Sequence, residues 1–119
     1  MKKILAIDDE PHVLTVIKKR LEANGYQVQT LEEPAAGLRK AAEWKPDLIL
    51  LDISMPQMNG FEVLRRLKSS QTTVGIPVVM LSAAGVTENI FEAEKLWAAD
   101  FVIKPFTAED LLMAISRNL

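Results

Sequence analysis

The sequence has no cysteine. Disulfides, thiolate metal sites and cysteine nucleophiles are therefore excluded, and the chain is compatible with a reducing compartment. Long hydrophobic runs are also missing: none approaches the ~18 residues of a membrane-spanning helix. The start, Met1-Lys2-Lys3, mimics the basic end of a secretory signal. The apolar run behind it, Ile4 to Ile7, stops at Asp8 and is too short to be the signal's core. Charge of one sign is not in excess either. The formal net charge is −2 and like charges form no long block, whereas a general nucleic-acid binder would be basic. There is no internal repeat, low-complexity stretch or linker. These absences lead to the expectation of a soluble, cytoplasmic protein with no membrane segment and no direct nucleic-acid contact.

What is there can build a core. The chain has 119 residues, 49% hydrophobic and 25% charged, which fits one domain over residues 1–119. Short apolar runs alternate with segments of helical period. Ile4 to Ile7 reads as a strand. Pro11 to Ala23 reads as a helix, with Leu14, Ile17 and Leu21 on one face, Pro11 in its first turn and Gly25 at its exit. Tyr26 to Thr30 alternates like an edge strand. Pro34 to Trp44 is a second helix, ended by Lys45-Pro46. Asp47 to Leu51 is continuously apolar after its aspartate, as in a strand covered on both faces. Gly60 to Lys68 is a third helix, Ile76 to Leu81 a fourth strand, Thr87 to Trp97 a fourth helix and Phe101 to Ile103 a fifth strand. Thr107 opens the last helix with the capping pattern Thr107-x-x-Asp110. Leu111 or Leu112, Ile115 and Leu119 form its inner stripe. Strict alternation predicts a doubly wound α/β fold: a five-stranded parallel sheet with five helices, in the flavodoxin-like order 2-1-3-4-5.

In such a sheet ligands bind beyond the carboxyl ends of the strands, at the switch point between strands 1 and 3. Strand 1 runs into Asp8 and Asp9, and strand 3 into Asp52. Strand 4 leads to Ser82 and strand 5 to Lys104; only strand 2 ends without a candidate group. With neighbouring strands ~4.8 Å apart, the three aspartates are expected in one cluster. Adjacent buried acids repel each other and cost solvation, so they are not a folding device. Clustered carboxylates raise each other's pKa or recruit a cation. An all-oxygen set of few protein ligands suits Mg²⁺, which keeps waters and bridges to phosphate. A neighbouring lysine and hydroxyl can hold phosphoryl oxygens, and a buried aspartate can attack phosphorus.

The ordered segments "IDDEP", "LILLDISMPQMNGFEVL", "VVMLSA" and "DFVIKPF" resemble, in that order and spacing, the motifs of response-regulator receiver domains of two-component systems. The resemblance extends over the whole chain. It implies that Asp52 accepts a phosphoryl group from a histidine kinase or a histidine phosphotransfer protein, and that the domain then acts as a switch on a downstream protein or output domain. A phosphorylation-dependent dimer is one form of that output. The resemblance further implies that Asp9, Asp52 and the Ser54 main-chain carbonyl bind Mg²⁺, with Asp8 acting through a metal-bound water. Ser82 and Lys104 would contact the phosphoryl oxygens, and Phe101 would be the aromatic switch partner. Met55-Pro56 and Gly60 match the loop after the acceptor, and Lys104-Pro105 matches a peptide bond that is cis in the family. Such a domain catalyses only its own phosphorylation and dephosphorylation and is not an enzyme with a separate substrate.

Blander and rival readings bear on several residues. Acids at a helix start also suit its dipole, and Glu10 is read that way. A strand phenylalanine such as Phe101 is usually core. His12 is read as a surface residue and Trp44 as helix-end packing. An aspartate-nucleophile phosphatase usually has a second acid two residues after the nucleophile; here that residue is Ser54. A flavin carrier on this fold would want a hydroxyl- and glycine-rich loop where "DDEP" stands. A docking module that never sees phosphate would not need the acceptor, hydroxyl and lysine together. Two departures from the family pattern stand out. Trp97 occupies a position that is usually glycine, which predicts a different exit from the fourth helix, and Phe101 stands where tyrosine is common.

Overall fold

The computed structural model describes residues 1–55, 57–82 and 95–119. Pro56, Ala84 and most of the helix expected over Thr87 to Trp97 lie outside these residues. The described elements are β1 (Lys3–Ile7), α1 (Pro11–Ala23), β2 (Gln27–Leu31), α2 (Pro34–Trp44), β3 (Leu48–Asp52), α3 (Gly60–Ser69), β4 (Val78–Ser82), β5 (Asp100–Ile103) and α4 (Ala108–Arg117). The five strands form one sheet in the order β2-β1-β3-β4-β5, and every neighbouring pair is parallel. This is the flavodoxin-like α/β arrangement that the alternation of runs predicts.

The core follows from the two-residue period of the strands. Ile4, Ala6, Leu48, Leu50, Val79 and Leu81 pack with α1 and α4 on one face. Leu5, Ile7, Ile49, Leu51, Val78 and Met80 pack with α2 and α3 on the other. Both faces of β1, β3 and β4 are thus covered, which is why their sequences are apolar throughout.

Helix boundaries follow local chemistry. Pro11 and Pro34 occupy first turns, where a missing N–H costs nothing. Leu14, Ile17 and Leu21 are the buried face of α1. Lys45 closes α2 in a left-handed conformation, φ 52°. The Asn59 side chain caps α3 by accepting from Glu62 N, and Thr107 with Asp110 forms a complete capping box on α4.

Strand limits shift by one or two residues from expectation. β4 starts at Val78 rather than Ile76 because Pro77 offers only its carbonyl, which accepts from Ile49 N. The expected inner stripe of α4 is corrected at its end: Leu111 and Ile115 are buried with Ala114, but Asn118 caps the helix and Leu119 lies beyond it, exposed. The different helix exit expected at Trp97 is also corrected. Trp97 itself takes the left-handed conformation, φ 66°, which glycine would adopt without steric cost, and the residue is 73% exposed.

Candidate functional site

Register brings the predicted groups together. Ile7 pairs with Leu51, so Asp8 and Asp52 leave β1 and β3 at the same level. Asp52 pairs with Leu81 and Ser82 with Ile103, so Ser82 and Lys104 follow one step on. Asp8 is fully buried, and Asp52 and Ser82 are nearly so. Backbone bonds fix these strand ends: Asp8 N donates to the Leu31 carbonyl at 3.2 Å, Ile53 N to that of Leu81 at 3.0 Å and Lys104 N to that of Ser82 at 2.5 Å. The Lys104-Pro105 bond is cis.

Lys104 joins the site across the sheet. Its ammonium lies 2.9 Å from Asp8 Oδ2, 3.3 Å from Asp52 Oδ1 and 3.5 Å from Glu10 Oε1. Carboxylate oxygens of Asp8, Asp9 and Glu10 all lie within 4.8 Å of one another. One lysine thus faces an excess of acids. Burial, and after it the negative charge of Asp8, push the Asp52 carboxyl up to about 6, although Lys104 opposes the shift. For Lys104, burial disfavours the charged form, but the bond to Asp8 and the charges of Asp52 and Asp8 outweigh it and hold the ammonium above the ordinary lysine range. The donor set is entirely oxygen, carries more negative charge than Lys104 can balance, and includes partly exposed members. It could hold a divalent cation.

The loop after Asp52 is built by close approach. A Cβ on Gly60 would lie 2.2 Å from the Asp52 carbonyl oxygen and 2.7 Å from Ile53 Cα, so α3 can start against the end of β3 only with glycine at this position. Gly60 N donates to the Ile53 carbonyl at 2.6 Å. Ser54 is exposed and lines an open groove with Asp9, Met55 and Asn59.

The remaining candidates fall outside this contact set. Phe101 is partly buried and packs on the core layer shared by α2 and α3. His12 projects outward, its side chain 79% exposed, with Nε2 3.7 Å from Glu10 Oε2. Trp44 sits far along the sheet under the Lys3 ammonium, 5.1 Å from its ring centre. Sequence reasoning missed Glu10 as a neighbour of Lys104. The available signal was a third consecutive acid after a strand that points at a distant lysine.

Comparison with known proteins agrees with this geometry. The family model for the response regulator receiver domain matches residues 4–116. Chemotaxis protein CheY of Bacillus subtilis is 36% identical over 118 residues, covering 98% of this chain and 97% of its own. The DNA-binding dual master transcriptional regulator RpaA of Synechocystis is 36% identical over 119 residues, covering 100% of this chain but 49% of its own. The chain spans about half the length of several such curated relatives. Among solved structures, the Vibrio cholerae chemotaxis protein CheY4 superposes with a TM-score of 0.95 at 31% identity, covering 100% of this chain and 99% of that one. The chain belongs to the response regulator receiver domain family, the phosphorylation-dependent signalling modules of two-component systems.

Proposed function

We propose that residues 1–119 form one receiver unit whose phosphoryl acceptor is Asp52. The observation that carries this reading is the buried Asp52 carboxylate in contact with Lys104, which also holds Asp8. In the reaction a carboxylate oxygen of Asp52 attacks phosphorus of a phosphohistidine. The new P–O bond forms as the P–N bond breaks, and the electron pair returns to the imidazole of the histidine kinase or phosphotransfer protein. Later, water attacks phosphorus, the P–O bond to Asp52 breaks, and inorganic phosphate leaves. The domain acts on no other substrate.

Asp9, Asp52 and the Ser54 carbonyl are the residues that would hold Mg²⁺, with Asp8 acting through a metal-bound water. When bound, Mg²⁺ supplies positive charge that screens the acids from the incoming phosphoryl oxygens. Lys104 and Ser82 take the phosphoryl oxygens once they arrive. Phosphorylation adds roughly one to two negative charges and strong acceptors, so Lys104 leaves Asp8 for the new group and Ser82 turns to it as well.

Phe101, on β5 beside the end of β4, repacks with Ser82. The readout surface is the side of the molecule formed by Trp97, β5 and α4. Trp97, Ile103 and Met113 are exposed there, at 73%, 44% and 60%. A downstream protein, an output domain or a second copy of the chain would bind this side. Among the described residues no helix is long and apolar enough to cross a membrane, which fits the cytoplasmic location we infer.

The test is intact-mass analysis after incubation with Mg²⁺ and acetyl phosphate. Wild type gains one acid-labile phosphoryl group, Asp9→Ala needs more Mg²⁺ to do so, and Asp52→Asn gains none. Equal labelling of Asp52→Asn and wild type would rule out Asp52 as the acceptor.

A further inference from the structure

We propose that Glu10 is a positioning residue for Lys104, the carboxylate that keeps the ammonium at the mouth of the site when the buried aspartates turn to a divalent cation. The inference rests on the reading of Asp52 as acceptor and Lys104 as the phosphoryl contact.

Among the described residues Lys104 pairs with three carboxylates, on Asp8, Asp52 and Glu10. Asp8 and Asp52 are buried members of the cation-binding set. A cation drawn to them competes with the ammonium for the same oxygens, and the two positive charges repel. Glu10 is the remaining partner. Its oxygens are differently engaged: Oε1 lies 3.5 Å from Lys104 Nζ and Oε2 lies 3.7 Å from His12 Nε2. One of its oxygens lies within 4.8 Å of the Asp8 and Asp9 carboxylates, but the side chain is 47% exposed and stands at the rim of the cluster rather than inside it. Glu10 also heads α1 without a side-chain capping hydrogen bond, so no such bond ties its carboxylate to the helix end. Its main-chain N–H donates to Asp8 Oδ1 at 3.0 Å, which anchors its backbone beside the acids whatever the side chain does. Lys104 is thus held within reach of a phosphoryl group on Asp52 while losing its two inner partners.

The experiment is a double-mutant cycle on the rate of phosphorylation by acetyl phosphate in saturating Mg²⁺, with Mg²⁺ affinity measured separately by calorimetry. Glu10→Gln should slow phosphorylation about two- to fivefold, the range of a partly exposed ion pair. It should slow it no further in a Lys104→Gln background, because the effect runs through Lys104. Mg²⁺ affinity should fall by less than it does in Asp9→Ala. The same slowing in both backgrounds, no slowing in either, or a severe loss of Mg²⁺ affinity would overturn the proposal; the last would make Glu10 a metal ligand. If Lys104→Gln alone phosphorylates like wild type, the phosphoryl-contact role of Lys104 fails, and the positioning role of Glu10 fails with it.

Discussion

Asp52 and Asp100 lie at opposite ends of their strands, and their surroundings push them in opposite directions. Asp52 closes β3, is buried, and shares Lys104 with Asp8 and Glu10; its carboxyl rises to about 6. Asp100 opens β5 and has donors to itself. Arg117 Nε and Nη2 reach its two oxygens at 2.5 and 3.0 Å, and Asn118 Nδ2 adds a bond at 2.8 Å. The bond from Arg117 holds the Asp100 carboxyl below the ordinary aspartate range. A carboxylate used to fasten a helix end to a strand is given matched donors. Asp52, which we propose as the acceptor, shares one ammonium with two other carboxylates among the described residues, an excess of negative charge that a cation would offset.

The largest expected effect breaks this contrast at Asp52. The folded state binds its proton more tightly than the unfolded chain does. Between the ordinary value of 3.8 and about 6 the native state therefore holds more protons, and stability falls as pH rises. The full penalty is present above about 6 and amounts to at most ~3 kcal/mol. Asp52→Asn should stabilise the cation-free protein at pH 7.5 by part of that amount and by little at pH 4, as read from urea midpoints. Excess Mg²⁺ should close the gap by stabilising wild type alone.

The next effect tests whether the site depends on close approach. Gly60→Ala should cost ~1–3 kcal/mol through overpacking against the Asp52 carbonyl, and it should slow phosphorylation by shifting the acceptor. A urea midpoint equal to that of wild type would mean that α3 can move aside freely. A smaller effect belongs to Asp100. Its lowered pKa contributes stability that is present above the unfolded value and lost as pH falls through the folded one. Asp100→Asn should therefore lower the urea midpoint at pH 7 and have a vanishing effect in strong acid, with phosphorylation of Asp52 intact.

The smallest change concerns lifetime. Ser54 is small and exposed beside the groove that holds Asp9, so water can reach the phosphorus. Ser54→Lys should slow loss of the phosphoryl group severalfold by covering its approach, as measured by decay in excess Mg²⁺ after the donor is removed. Decay at the wild-type rate would show that access at this position does not set the lifetime.

Much of this was legible because the signals are local. Pro11 and Pro34 mark helix starts, Thr107 and Asp110 name their own cap, and strand ends at Asp8, Asp52, Ser82 and Lys104 fall into register once the strand order is known. What was not legible depends on partners distant in sequence. The start of β4 depends on Pro77 meeting β3. The contact of Glu10 with Lys104 needs two loops 94 residues apart. Trp97 misled because a pattern that favours glycine describes a backbone shape, and the chain keeps that shape with a tryptophan. Leu119 continues the helical period in sequence, but the helix has already ended.

The most direct measurement is a carboxyl-carbon NMR titration of Asp52 and Asp100 in the same sample, with and without Mg²⁺. Without the cation, Asp52 should titrate near 6 and Asp100 below the ordinary aspartate range. Adding Mg²⁺ should pull the Asp52 midpoint down and leave Asp100 where it was. Two aspartates titrating together at an ordinary value, or a midpoint that Mg²⁺ moves at Asp100 and not at Asp52, would contradict the account.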